Sequence, residues 1–285
     1  MDDKRFQSTF ENVFDKDVLK DFRVLAGNHD HNGNVQAQVD YSDKSSRWNF
    51  PSLYYDFHVE TQGKDLHFVF IDTVILTGNS DILNEDGFIV KERTGRELGV
   101  FFHENATSEM KLAADEQWSW LESTLQNSKA DFLVVAGHYP VYSICEHGPT
   151  SELVEKLIPL LQKYKVTAYL NGHDHCAQLI TDSGIDYHTI GSAHLNDPST
   201  SHKDNIPKDS LKFHATNAVG GFGGVKVGTD GMLVVTHYDG DGTKLFEAPG
   251  RPARTSSTGS RSVRPSSVFE LVRDAYSFIF EKLNE

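Results

Sequence analysis

The chain has 285 residues, 38% hydrophobic and 24% charged, enough to bury a full core as one domain with appendages. A formal net charge of −14 argues against nucleic acid or an anionic membrane as a general partner, and no apolar run approaches the length of a membrane span. The opening Met1-Asp2-Asp3-Lys4-Arg5 is charged and no apolar stretch follows, so these residues are expected to carry no secretory leader and, if complete, to be cytoplasmic.

Residues 3–16 carry Phe6, Phe10, Val13 and Phe14 at helical spacing and are expected as a short helix. An apolar strand over 22–26 leads into Gly27-Asn28-His29-Asp30. Residues 47–51 are aromatic and turn-rich, and strands are expected over 54–59 and 66–76. Residues 77–105 are polar and glycine-spotted without a period, the pattern of a functional or mobile loop. Helical spacing returns over 107–126 with Leu112, Trp118, Leu121 and Leu125. A strand over 132–136 leads into Gly137-His138, a helix covers 151–163, and a strand over 166–170 leads into Gly172-His173-Asp174-His175. Residues 187–190 read as a further strand, and 219–246 as a β-hairpin turning at Thr229-Asp230-Gly231. Composition then shifts. Residues 250–267 form a basic, flexible linker, and 268–285 hold Phe269, Leu271, Val272, Tyr276, Ile279 and Phe280 on one helical face. This amphipathic tail either docks on its own domain, residues 1–249, or binds a partner.

Three strands therefore end on polar strings, and an open α/β sheet builds its site at the C-terminal mouths of its strands. Imidazoles with one carboxamide oxygen suit Zn, Fe or Mn. Asn28 offers that oxygen, and His138, His173 and His175 offer nitrogens. His173 and His175 stand two apart, so on an extended turn they project the same way and each reaches one of two adjacent metals. Two cations about 3.5–4 Å apart clamp a phosphate ester and activate water, but they need a bridging carboxylate. No strand end before Gly27 supplies one, so the constellation reads as part of a two-metal site.

His29 beside Asp30 reads as a non-ligand acid, because a neighbouring carboxylate holds an imidazole's tautomer and favours its cation. His147 in Glu146-His147-Gly148-Pro149 is a second candidate. His58, His67, His103, His188, His202, His214 and His237 lack such a context and are expected at the surface or in structural roles, while His31 and His194 stay open. The two cysteines, Cys145 and Cys176, each lie near a candidate histidine, with unpaired thiols favoured over a disulfide. Asn105-Ala106-Thr107 is a glycosylation sequon that matters only in a secreted chain.

The strings "DKRFQSTFENVF", "VLAGNHDHNGNVQAQVDYS", "RWNFPSLYY", "IDTVILTGNSD", "VVAGHYPVYSICEHGPT", "VTAYLNGHDH" and "GGFGGVKV" resemble the small, mammalian-type purple acid phosphatases among the calcineurin-like metallophosphoesterases, over about residues 3–247. The resemblance implies an α/β fold, a β-sandwich flanked by helices in four α/β/β/α layers, here incomplete at its N-terminal end. It implies an acid phosphatase acting on small phosphate monoesters or phosphoproteins at a binuclear centre, Fe3+ with Fe2+ or Zn2+. On the matching positions, Asn28, His138 and His173 hold the divalent ion, His175 binds the ferric ion, and His29 and His147 contact substrate.

The family's Gly-Asp-x-Gly and Gly-Asp-x-x-Tyr blocks, which supply a terminal Asp, the bridging Asp and a Tyr, do not occur in these residues, so half of the ligands are absent. The family's usual cysteines are replaced by Thr77 and Asn171, and the loop at 77–109, which overhangs the site in relatives, is longer here. Family members are secreted or lysosomal. The rival expectation is a non-catalytic pseudophosphatase or an incomplete gene product, with a segment carrying the two absent blocks as the discriminating feature.

Overall fold

Helix packing on one face and a second sheet on the other account for the long apolar strands of this chain. The computed structural model describes residues 3–17, 19–78, 89–91, 97–100, 108–191, 196–215 and 220–254, with backbone alone for 89–91, 97–100 and 108–110. The strands in chain order are β1 (Phe22–Arg23), β2 (Trp48–Asn49), β3 (Tyr55–Thr61), β4 (Lys64–Phe70), β5 (Ile89–Lys91), β6 (Glu97–Val100) and β7 (Phe132–Ala136). They continue with β8 (Ala168–Asn171), β9 (Ala177–Asp182), β10 (Ile185–Ile190), β11 (Leu211–Ala215), β12 (Gly221–Val227), β13 (Leu233–Asp239) and β14 (Lys244–Glu247). The helices are α1 (Lys4–Phe6), α2 (Asn28–His31), α3 (Val35–Tyr41), α4 (Thr73–Leu76), α5 (Ser108–Asn127) and α6 (Ile158–Lys163).

A seven-stranded mixed sheet runs β11-β9-β10-β8-β7-β4-β3, in which β4, β7, β8 and β10 are parallel neighbours. Strand β7 is buried along its whole length because both faces are covered, the usual cause of a continuous apolar run. Leu133 and Val135 point to a cluster with Leu121 and Leu125 of α5 and Leu161 of α6. Phe132, Val134 and Ala136 point the other way, to a cluster with Val227, Leu233 and Val235 of the three-stranded sheet β12-β13-β14. That second cluster also takes Phe6, Phe10, Tyr41, Trp48 and Phe50 from the first fifty residues. Fully burying one such side chain contributes about 1.5–3 kcal/mol. The α/β expectation holds: a mixed seven-stranded sheet with helices on one face and a second β layer on the other.

Several elements differ from expectation. The strand at 22–26 shortens to β1, which pairs in parallel with β2 outside the seven-stranded sheet. Its continuation is not left open, since the Val24 N–H donates to the Asn49 carbonyl and the Val24 carbonyl accepts from the Tyr55 hydroxyl. The strand at 66–76 stops at Phe70, because the Asp72 side chain accepts the Ile75 N–H and caps α4. The helix at 3–16 reduces to α1 and a π-type turn over Gln7–Glu11. Strands β9 and β11 went unread. β9 hairpins to β10 through Ser183 and Gly184, both at positive φ (50° and 82°), a mirror-image turn whose second position glycine takes without strain. The hairpin at 219–246 is three strands, not two.

Residues 250–254, expected to begin the flexible linker, are held to the domain. Arg251 pairs with Asp186 and bridges Leu233, and the Arg254 guanidinium donates to the carbonyls of Ser128, Ala130 and Tyr164. The rest of the linker and the tail at 268–285 lie outside the described residues, as do His103, His194, the sequon and most of the 77–109 loop. His188 and His237 are buried and bonded to each other at 3.0 Å, tying β10 to β13. Burial pushes His188 down to about 3 and His237 well below its ordinary value, so both are neutral structural groups. Among the described residues no helix is long and apolar enough to cross a membrane.

Candidate metal centre

The C-terminal ends of β7 and β8 lie side by side, and two backbone hydrogen bonds stitch together the turns beyond them: Gly137 N–H to the Leu170 carbonyl and Gly172 N–H to the His138 carbonyl, each 3.1 Å. His138 and His173 therefore emerge together. The turn α2 approaches from the other side, brought against the His138 ring by Gly27. A Cβ at Gly27 would lie 2.7–2.9 Å from the ring atoms of His138, so glycine is what permits the approach. His138 Nε2 then sits 2.8 Å from Asn28 Oδ1 and 3.2 Å from His173 Nδ1. His173 holds a left-handed φ of 66°, which costs an L-residue about 1–2 kcal/mol.

Burial first, and then the surrounding imidazoles of His138, His147, His175 and His29, hold His173 well below its ordinary pKa. The His138 and His147 rings lie 5.0 and 4.3 Å from that of His173, and the charges of His175 and His29 also reach it. The donor set fits a borderline divalent cation. It offers a neutral imidazole, and its ligand atoms stand about 3 Å apart, the spacing around an ion with bonds of roughly 2.0–2.1 Å.

The Asp30 carboxylate accepts the Gly27 N–H at 2.8 Å and the Gln38 side-chain amide at 2.6 Å, so these bonds hold the turn that carries Asn28 and His29. His147 is positioned through its backbone, its N–H donating to Asp174 Oδ1 at 3.0 Å. Burial, against the Ser143 and His147 hydrogen bonds, pushes Asp174 above the ordinary carboxylate value, and the Asp197 charge adds to the rise.

The structure joins Cys145 and Cys176 in a buried disulfide, correcting the expectation of free thiols. Their loops follow the neighbouring strands β7 and β8, so the bond links the His147 loop to the residue after His175. Gln178 reinforces it, accepting the Ile144 N–H and donating to Ser143 and Thr189. Asn171 is buried and donates to Thr189, while the Thr77 hydroxyl donates to the Thr73 carbonyl.

Sequence reasoning left His31 open and missed Asp72. His31 Nε2 lies 2.7 Å from the carboxylate of fully buried Asp72, which Gln117 of α5 grips through its backbone. The signal for Asp72 was available, an acid ending the apolar run of β4. Burial alone would lower the His31 pKa; the hydrogen bond and charge of Asp72, with Asp30 adding, overcome it and raise the net value. A raised folded pKa gives stability that is full below the unfolded value and lost as pH rises through the folded one. His31→Gln is therefore expected to cost about 1.5–3 kcal/mol in acid, and less as pH climbs above the His31 pKa. Thermal melts of both proteins from pH 5 to 9 test this; a gap that widens with pH contradicts it.

Residues 2–177 match the calcineurin-like phosphoesterase family. The chain is 44% identical to tartrate-resistant acid phosphatase type 5 of Rattus norvegicus over 259 residues, 88% of this chain and 74% of that protein. The corresponding Homo sapiens protein is 42% identical over 254 residues, 87% of this chain and 73% of that one. Among solved structures, GAP50, the anchor in the inner membrane complex of Plasmodium, superposes with a TM-score of 0.69 at 21% identity, covering 90% of this chain and 74% of that one, a likeness of fold alone. The chain belongs to the calcineurin-like phosphoesterases and is a relative of the type 5 tartrate-resistant, purple acid phosphatases.

Proposed function

We propose that this chain is an acid phosphatase that hydrolyses phosphate monoesters, either small esters or phosphoproteins. The observation that carries this reading is the convergence of Asn28 Oδ1, His138 Nε2 and His173 Nδ1 in a chain of this family. These three residues would hold a divalent ion, Fe2+ or Zn2+, and His175 would contribute to a ferric ion beside it. Bound metals would clamp the phosphate ester and acidify the attacking water. His29 and His147, whose charges reach His173, would donate hydrogen bonds to phosphoryl oxygens and a proton to the leaving oxygen. Asp30 acts through the turn it braces, and Asp174 and the disulfide fix the His147 loop. The disulfide also supports a secretory or lysosomal setting over the cytoplasm, since oxidising compartments keep such bonds.

The ligand count limits the activity of these residues by themselves. They offer one carboxamide and three imidazoles, and neither Gly-Asp-x-Gly nor Gly-Asp-x-x-Tyr occurs among them. The expected outcome is at most one tightly held metal at this centre, no purple colour, and turnover of p-nitrophenyl phosphate at acid pH lower by orders of magnitude than in a version joined to a segment carrying both blocks. Equal turnover in the two versions overturns the impairment. No turnover in either overturns the enzyme reading and leaves the pseudophosphatase, which the same ligand count favours.

A further inference from the structure

The β3–β4 hairpin carries a second set of ligands that the phosphatase reading does not use. His58 and His67 are directly opposite in the antiparallel register, and their rings stack at 4.1 Å with 12° between planes. Asp56 lies two residues before His58 on the same strand face. A carboxylate oxygen of Asp56 and one nitrogen of each imidazole all lie within 4.8 Å of one another. His67 Nε2 is already 2.9 Å from Asp56 Oδ2. The three residues border a cavity of about 440 Å³ that continues to Ser123, Thr124 and Asn127 of α5 and to Lys129. His67 is three residues from the end of β4, about 10 Å along the strand, and farther still from His138. This place is therefore separate from the candidate metal centre.

We propose that Asp56, His58 and His67 form a second metal site, which takes Zn2+ or a similar borderline divalent transition ion. Two imidazoles and a carboxylate select this class over Mg2+ or Ca2+, which prefer oxygen-only shells. The outer contacts are those that orient metal-bound histidines. His67 Nδ1 lies 2.9 Å from Ser128 Oγ, and that oxygen accepts from Arg254 at 3.1 Å, so it is turned to serve the ring. His58 Nδ1 lies 2.8 Å from Asp65 Oδ1. The competing account is a charged edge strand: β3 closes the seven-stranded sheet, and imidazole–carboxylate pairs there would blunt pairing with other chains without any metal. A wide cavity against a nearly buried His67 is not needed for that purpose.

The side chains of Asp56 and His58 are 37% and 48% exposed, so replacing them leaves the core intact. The test is calorimetric titration of the whole chain with Zn2+ alone, with metal analysis after dialysis, on the wild type, the double variant Asp56→Asn/His58→Ala, the single variant His58→Ala, and His173→Ala. The wild type is expected to take up one more equivalent of Zn2+ than the double variant, His58→Ala to bind that equivalent at least about 100-fold more weakly, and His173→Ala to keep it. Retention in His173→Ala separates this site from the first centre whatever the fate of the phosphatase reading. Equal Zn2+ stoichiometry and equal affinity in wild type and His58→Ala, with both proteins folded by circular dichroism, overturn the proposal.

Discussion

Gly27→Ala is expected to weaken metal binding at the first centre by at least about 100-fold without removing a single ligand. The backbone at Gly27 is extended, φ −107° and ψ −178°, so alanine is conformationally acceptable there. The added Cβ, however, would stand 2.7 Å from Cε1, 2.8 Å from Nδ1 and 2.9 Å from Nε2 of His138. No real Cβ packs that closely, so either the ring or the turn must move. His138 is 1% exposed, and its Nε2 stands 2.8 Å from Asn28 Oδ1 and 3.2 Å from His173 Nδ1, so a shift of the ring disturbs both contacts. A displacement of order 1 Å in such a site costs roughly 100-fold in rate, and overpacking of this kind costs about 1–3 kcal/mol in stability. We expect metal affinity and acid phosphatase turnover each to fall at least about 100-fold. His188→Ala, which removes an equally buried imidazole that serves only to join the two sheets, is expected to lower the melting temperature and leave metal affinity unchanged. Titration of both variants with Zn2+ or Fe2+ decides the matter. Near-wild-type affinity in Gly27→Ala would sink the assignment of Asn28 and His138 to one ion.

Breaking the disulfide is expected to have the largest effect on stability. Cys145 and Cys176 are 31 residues apart, and closing a loop of that size in the unfolded chain is worth about 3–4 kcal/mol by the loop-entropy account. For a domain of this size that corresponds to a fall in melting temperature of roughly 6–16 °C. The Cys145→Ser/Cys176→Ser variant should show it by calorimetry. Both cysteines are fully buried, so dithiothreitol should act on the wild type only under conditions that open the fold. The bond holds together the loops of His147 and His175, so the variant is also expected to lose turnover at temperatures where it remains folded. A melting shift below about 2 °C would show that Gln178, Ser143 and Asp174 hold the loops without it.

The strands and their sequels were legible wherever the pattern was local. The run Phe132-Leu133-Val134-Val135-Ala136 is apolar at every position because both of its faces are covered, and such a run can be read directly. The same holds for Ala168-Tyr169-Leu170, and of the polar residues that follow these strands His138 and His173 lie 3.2 Å apart between Nε2 and Nδ1. Local chemistry also explains the errors. Asp72 looked like the middle of a strand but caps a helix, since its carboxylate found the Ile75 N–H three residues on. β9 was missed because Gln178, a buried polar residue, interrupts its apolar pattern; the groups that satisfy that residue lie on other elements.

The sequence by itself determined the fold class and the family and pointed to Asn28, His138 and His173, because each rests on short strings whose spacing carries the meaning. Only the tertiary structure decided which distant residues meet. Cys145 pairs with Cys176, His31 with Asp72 across 41 positions, and His188 with His237 across 49. His58 and His67 were expected at the surface or in structural roles, and the register of β3 on β4 is what stacked them. The physical reason is common to all four. A side chain's local pattern reports whether its own stretch is helix, strand or turn, whereas its partner is set by strand order and register. Those are fixed by burying the two hydrophobic clusters as wholes, on opposite faces of one sheet.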